Sequence, residues 1–312
     1  DRRGAIPELV EEWLHRCGIQ DPRRVAQSYP HELSGGQRQR ICIAMALMNS
    51  PQLLIDDEAT TALDVTVQYH ILELLRSLSQ KHNMALLVIS HNLALIAHLC
   101  TRVLVLYTGL IFEAGTVDEV LRETRHPYTA ELLQSIPENA VKGQPIHTIQ
   151  GRVPSLFEPK KNCPFYDRCR YAQPSCLEEP LQRQPPLPLP PRPGDRRTAT
   201  RGGGRPVSTP LIRFESVNKT YPLPRSSPFE TKRYIYALED LNLDIQAGET
   251  LGLVGESGSG KSTLGRILAG LLKPDSGQVL LDDTPITELK PLDLHRRVQY
   301  IFQDPKASLN EH

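Results

Sequence analysis

Nine consecutive residues constrain this chain more than any others: Gly255-Glu256-Ser257-Gly258-Ser259-Gly260-Lys261-Ser262-Thr263. They follow an apolar run, Thr250 to Val254, and precede Leu264 to Ala269, which reads as a helix. In that order, glycines let backbone N–H groups wrap a triphosphate, and a new helix turns its positive end toward the anion. Lys261 would reach the β- and γ-phosphates and Ser262 would ligate Mg²⁺. A glycine-rich strand-to-helix turn without a ligand is the alternative, and the full GxxxxGK[ST] pattern in this context speaks against it.

At 312 residues the chain has room for about two domains. It carries 36 basic and 36 acidic residues, so no general affinity for polyanions is indicated. Aromatics at 5% argue against a base-stacking platform, and no nucleic-acid partner is expected. No apolar run reaches the roughly 18 residues of a membrane-spanning helix. The longest candidate, Leu86 to Leu110, is broken by Ser90, His91, Asn92, His98 and Arg102. A membrane role would be peripheral. The first residue is Asp1 and the last residues stop within a motif, so an internal fragment is expected. Cys17, Cys42 and Cys100 sit singly among apolar residues, as core cysteines do, and a reducing compartment fits better than a disulfide framework.

Along the chain, residues 6–17 place Leu9, Val10, Trp13, Leu14 and Cys17 on one helical face, closed by Gly18. Ser34-Gly35-Gly36-Gln37 precedes the helical run from Ile41, and a serine cap with bare glycine amides at a helix start forms a second anion site. Leu53-Leu54-Ile55 reads as a buried strand that delivers Asp56-Asp57-Glu58 at its carboxyl end, where open α/β sheets carry their chemistry. One carboxylate there could hold Mg²⁺ while another orients a water. Thr61 to Asp64 leads into a helix with Ile71, Leu74, Leu75 and Leu78 on its stripe, and Ala85 to Ile89 is a second strand ending at His91. Val103–Leu106 and Leu110–Phe112 suggest a hairpin around Thr108-Gly109. After Pro137 periodicity fades, and residues 180–210 read as an extended Pro-rich linker. Strands resume at Leu211–Glu215, Ala237–Ile245, Val279–Leu281 and Val298–Phe302, the last followed by Gln303.

Together these pieces resemble the ATP-binding subunits of ABC transporters. Leu33 to Gln37 looks like the signature motif, Leu53 to Glu58 like Walker B with its catalytic glutamate, Ala62-Leu63-Asp64 like the D-loop and His91 like the switch histidine. Gly255 to Thr263 matches Walker A, Gln303 the Q-loop glutamine and Tyr221 the aromatic that stacks on adenine. The resemblance implies an α/β P-loop NTPase fold with ATP and Mg²⁺, the metal held by Ser262, Gln303 and Asp57. Glu58 would polarise the attacking water and His91 would contact the γ-phosphate. His126 to Leu133, Gly151 to Leu156 and Cys163-Pro164-Phe165-Tyr166-Asp167-Arg168-Cys169 are similar to the carboxyl-terminal extension of dipeptide, oligopeptide and nickel importers. That likeness implies two transmembrane permease subunits, an extracytoplasmic peptide-binding protein and a place on the cytoplasmic face of the membrane. In that group the cysteines accompany an iron–sulfur cluster. Here Cys163, Cys169 and Cys176 supply three thiols where a cluster takes four ligands. Asp56 and Ala59 depart from the family pattern beside the chemical residues, not at them.

The order of motifs is inverted for one ABC domain, because signature, Walker B and switch histidine precede Walker A and the Q-loop. The expected organisation is two partial nucleotide-binding domains, residues 1–136 and 209–312, joined by the 137–180 extension and a linker at 181–208. They would pair as a pseudo-dimer in a fused importer ATPase. The alternatives are a single circularly permuted domain and an ABC ATPase without a transport role. In the fused reading the Lys261 loop faces the Ser34 loop, and Asp57 and Glu58 serve a different site. The chain by itself would then bind ATP weakly and hydrolyse it negligibly.

Overall fold

The computed structural model describes residues 6–59, 65–136, 147–154, 156–157, 160, 162–178, 209–224 and 232–303, the side chains of 65–67 excepted. Asp64, the Pro-rich linker and the run after Gln303 lie outside the described residues.

The strands are β1 (Leu53–Asp57), β2 (Ala85–Ile89), β3 (Arg102–Tyr107), β4 (Leu110–Thr116), β5 (Ile212–Pro222), β6 (Tyr234–Ile245), β7 (Thr250–Val254), β8 (Ser276–Leu281), β9 (Thr284–Pro285) and β10 (Val298–Ile301). The helices are α1 (Ile6–Arg16), α2 (Pro22–Ala26), α3 (Gly35–Leu47), α4 (Val65–His82), α5 (Leu93–Leu99), α6 (Val117–Arg122), α7 (Pro127–Gln134), α8 (Ser175–Glu178), α9 (Lys261–Leu268) and α10 (Pro291–Arg297).

The apolar runs in β1, β2, β3 and β7 lack polar alternation because both faces of these strands are covered, as parallel sheets require. They lie in one sheet of order β10-β1-β2-β7-β3-β4, parallel except for the β3–β4 hairpin. The two-residue period of a strand sends alternate side chains into two cores. Leu54, Leu86, Val88, Val103 and Val105 meet Trp13, Leu14, Ile43, Ile71 and Ile96 on one side. Leu53, Ile55, Leu87, Leu104, Leu251 and Leu253 meet Leu264, Ile267 and Leu268 of α9 on the other, together with the antiparallel sheet β6-β5-β8-β9. Each such side chain contributes about 1.5–3 kcal/mol by leaving water. Leu9 is an exception to the expected face of α1, since the first turn stands clear of the core and leaves it exposed.

The sheet interleaves the two ends of the chain. Strand β7 enters between β2 and β3, with Leu86 opposite Thr250 and Arg102 opposite Leu251. A buried ion pair, Arg102 Nη1 to Glu249 Oε1 at 3.2 Å, sits at the entry to that slot. Glu249 also accepts the Leu86 N–H through its carbonyl at 2.8 Å. Removing either partner would leave an uncompensated buried charge. The hairpin turn Thr108-Gly109 has φ of 47° and 86°, the left-handed pair that matches the twist of two antiparallel strands. Among the described residues no helix is long and apolar enough to cross a membrane.

Candidate nucleotide site

The phosphate loop is fixed by what surrounds its glycines. Gly255 has φ 153°, and a Cβ there would lie 2.1 Å from the Leu106 carbonyl oxygen. Gly260 has φ 106°, and its Cβ would lie 2.4 Å from the Ala237 carbonyl oxygen. Neither position can carry a side chain without moving backbone. Lys261 opens α9 and folds back over the loop, its Nζ donating to the carbonyls of Gly255 at 2.8 Å and Glu256 at 3.1 Å. Burial lowers the Lys261 pKa, and the carboxylates of Glu58, Asp57 and Glu256 oppose that shift.

Strand β1 brings its carboxylates to the same edge. Ser262 Oγ donates to Asp57 Oδ1 at 2.9 Å, and the Tyr300 hydroxyl donates to Asp57 Oδ2. Glu58 holds a left-handed φ of 52° with its N–H bonded to the Ile89 carbonyl at 3.1 Å. Its Oε1 lies 3.4 Å from His91 Nδ1 and 4.0 Å from Lys261 Nζ. Asp57 and Glu58 therefore share a site with Lys261, contrary to the expectation that they serve a different one. The reason is the sheet: β7 lies parallel to β2, which lies parallel to β1, so the loop after β7 and the acids after β1 emerge at one edge. Hard, anionic and hydroxyl oxygens converging in this way suit Mg²⁺, so Asp57 and Ser262 fit the metal that the motif implies.

Asp56 points the other way. It is 2% exposed, its Oδ1 finds no hydrogen-bond donor among the described residues, and burial, then the neighbouring Asp57, push its pKa up to about 7. A neutral acid there avoids the cost of a buried charge.

A cleft of about 520 Å³ opens over the loop, lined by Ser257, Gly258, Lys261 and Thr263 together with Glu58, His91, Tyr221 and Gln303. Tyr221 stands 3.3 Å from Thr263, hydroxyl to hydroxyl. Ser34, Gly35, Gly36 and Gln37 do not line this cleft. They form the start of α3, where Gln37 N–H donates to Ser34 Oγ at 3.2 Å and Ser34 N–H to Gln37 Oε1 at 2.9 Å. This reciprocal cap presents the end of α3 as a rigid unit.

The extension's three cysteines lie close together on its turn. Cys163, Cys169 and Cys176 are free thiols, and the described residues hold no group of three His, Cys, Asp or Glu placed for a metal ion. Three thiols with no fourth ligand among the described residues do not fit a four-ligand iron–sulfur cluster. The turn around them is instead packed on aromatic rings: Phe165 and Tyr107 lie 5.5 Å apart, Tyr107 and Tyr128 4.5 Å. Burial in the same cluster drives the His126 pKa down to about 4.

Several residues reach the site with nothing in the sequence to place them there. Tyr300 reaches Asp57 because β10 pairs with β1, Ile55 opposite Tyr300. Leu156 lines the cleft, and Arg168 and Tyr128 hold the phosphate loop at Glu256.

Residues 2–61 and 238–312, which carry the Ser34 and Lys261 loops, match the family model described as ABC transporter. The chain belongs to the ABC transporter family. Residues 112–176 of this ABC chain match the model for the oligopeptide/dipeptide transporter C-terminal region. Glutathione import ATP-binding protein GsiA of Shigella boydii serotype 4 and of Escherichia coli K12 are each 36% identical over 305 residues, covering 96% of the chain and 43% of their own length. Oligopeptide transport ATP-binding protein OppD of Mycobacterium bovis is 37% identical over 324 residues, covering 96% of the chain and 52% of its own length. The ABC chain thus spans about half or less of the curated relatives it matches.

Proposed function

We propose that this chain is an ATP-binding and ATP-hydrolysing part of an ABC importer for peptides, glutathione included. One observation carries the chemistry: Ser262, Glu58 and Lys261 line a single cleft, and Asp57 is bonded to Ser262 at its edge. On ATP binding Lys261 would exchange its two loop carbonyls for phosphate oxygens, a swap of hydrogen bonds at little cost. Asp57 and Ser262, with Gln303 on the cleft wall, would hold Mg²⁺, which neutralises phosphate charge when bound. Glu58 would accept the proton of the attacking water, with His91 beside it, and Tyr221 would lie against the base. The peptide substrate class rests on the extension at 112–176 and on the names of the relatives. The same resemblance assigns as partners two permease subunits and an extracytoplasmic binding protein, and a peripheral place on the cytoplasmic face of the membrane.

We also read residues 1–136 and 209–312 as parts of successive nucleotide-binding domains in a longer protein, with 137–180 and 181–208 between them. The support is that the relatives align across both stretches in one run, over 43% of their length for GsiA. The closed unit described above is what the two stretches build with one another. In either setting the Ser34 loop must meet a nucleotide held by a second unit, because it does not line the cleft of its own.

For the chain by itself, ATP hydrolysis is therefore expected to need two copies. Specific activity should be negligible when dilute and should rise in proportion to chain concentration. A specific activity independent of concentration would show that one unit completes its own site, and would remove the role given to Ser34.

A further inference from the structure

The extension reaches the phosphate loop at one residue. Arg168 ends a short turn, Tyr166–Arg168, directly before Cys169. Its side chain is 4% exposed, and its fork donates to both oxygens of Glu256, Nη1 to Oε2 at 2.6 Å and Nη2 to Oε1 at 3.0 Å. Two of the three remaining donors are used as well: Nη1 also reaches the Tyr107 hydroxyl at 3.0 Å and Nε the Gln150 carbonyl at 2.9 Å. The guanidinium lies 5.8 Å from the centres of the Tyr107 and Phe165 rings. A planar cation with four of its five donors engaged and rings beside it is held in one orientation, so it fixes what its fork holds.

What it holds is the second residue of the loop. The Glu256 N–H donates to the Tyr128 hydroxyl at 3.0 Å, and the Glu256 carbonyl accepts from Lys261 Nζ at 3.1 Å. Side chain, N–H and carbonyl of Glu256 are thus tied to the extension, to α7 and to the phosphate-binding lysine. A second tie flanks the cleft, where Tyr236 N–H donates to the Leu156 carbonyl at 2.8 Å and Lys160 Nζ pairs with Glu239 at 2.6 Å.

We propose that Arg168 is a positioning residue for the phosphate loop: through Glu256 the 162–178 part of the extension presets the loop carbonyls and Lys261 in the geometry that receives phosphates. The proposal rests on the nucleotide-site reading given above. Linkage makes the effect reciprocal, so nucleotide binding must tighten the extension by the same factor by which the extension tightens nucleotide binding.

The test uses the 312-residue chain and a fluorescent ATP analogue with Mg²⁺. Affinities are measured for wild type, Arg168→Ala, Arg168→Lys, Glu256→Gln and the Arg168→Ala/Glu256→Gln double variant, with thermal midpoints alongside. Hydrogen exchange of residues 162–178 is followed with and without the analogue. Arg168→Ala and Glu256→Gln should each weaken binding by about 10-fold, and the double variant should be no weaker than either single one. Arg168→Lys keeps the charge but not the fork, and should lose about half of that effect on a logarithmic scale. The analogue should slow exchange at 162–178 in wild type and not in Arg168→Ala. Should Arg168→Ala fail to fold, Arg168→Lys and Glu256→Gln carry the same comparison. Lowered midpoints with unchanged affinities, or additive losses in the double variant, would overturn the proposal and leave the nucleotide site standing. A wild-type chain that does not bind the analogue would overturn both.

Discussion

Replacing Glu58 with Gln is expected to lower ATP hydrolysis by about 10²–10³-fold, the usual contribution of a positioned general base, while MgATP affinity stays within about two-fold of wild type. The function proposed above makes Glu58 the base for a water attacking a phosphate held by Lys261. Its Oε1 is 4.0 Å from Lys261 Nζ and 3.4 Å from His91 Nδ1, and its backbone is locked by the bond to Ile89. Gln keeps the size and most of the hydrogen-bonding reach but cannot accept a proton. The loss should therefore fall on turnover and spare binding. Single-turnover hydrolysis and calorimetric binding separate the two. Equal turnover in the variant would show that the base lies elsewhere.

Lys261→Ala is expected to act on the other side of that division, weakening MgATP binding by about 10–100-fold, the range for losing a hydrogen bond to a charged partner. Lys261 is 7% exposed and lies across its own loop. Its removal takes away the only cation that the loop itself supplies to the phosphates. It also deprives the carbonyls of Gly255 and Glu256 of their donor, so the empty loop should loosen too. Calorimetry of the variant reads the first effect and hydrogen exchange at residues 255–261 the second. Unchanged affinity would remove Lys261 from the phosphates.

Local chemistry was the legible part of this molecule. The parallel strands announce themselves as short apolar runs ending in Asp57, in His91 and in the glycine loop, because strands buried on both faces have no polar alternation to hide them. The Thr108-Gly109 turn and the Ser34/Gln37 cap are equally local, each set by residues two or three apart. Pairing between distant strands was not legible. Nothing within Thr250–Val254 states that it slots between β2 and β3, and that slot decides that Asp57 meets Ser262. The place of Tyr300, Leu156 and Arg168 at the site is illegible for the same reason, since each reaches it from an element distant in sequence. Strands β5 and β6 run longer than their alternation predicts because their ladder shifts register near Val217 and Lys219, and the left-handed Ser216 and Asp240 break the two-residue period.

The central claim is that the carboxylates after β1 and the loop after β7 form one metal–nucleotide site in this chain. It is tested most directly by the magnesium dependence of ATP affinity, taken as the ratio of Kd in chelator to Kd in Mg²⁺. The ratio should be well above one in wild type, and both Asp57→Asn and Ser262→Ala should bring it close to one, because each removes an oxygen from the same ion. A wild-type ratio in Asp57→Asn, with the ratio lost in Ser262→Ala, would place Asp57 at a different site from Ser262 and contradict the claim.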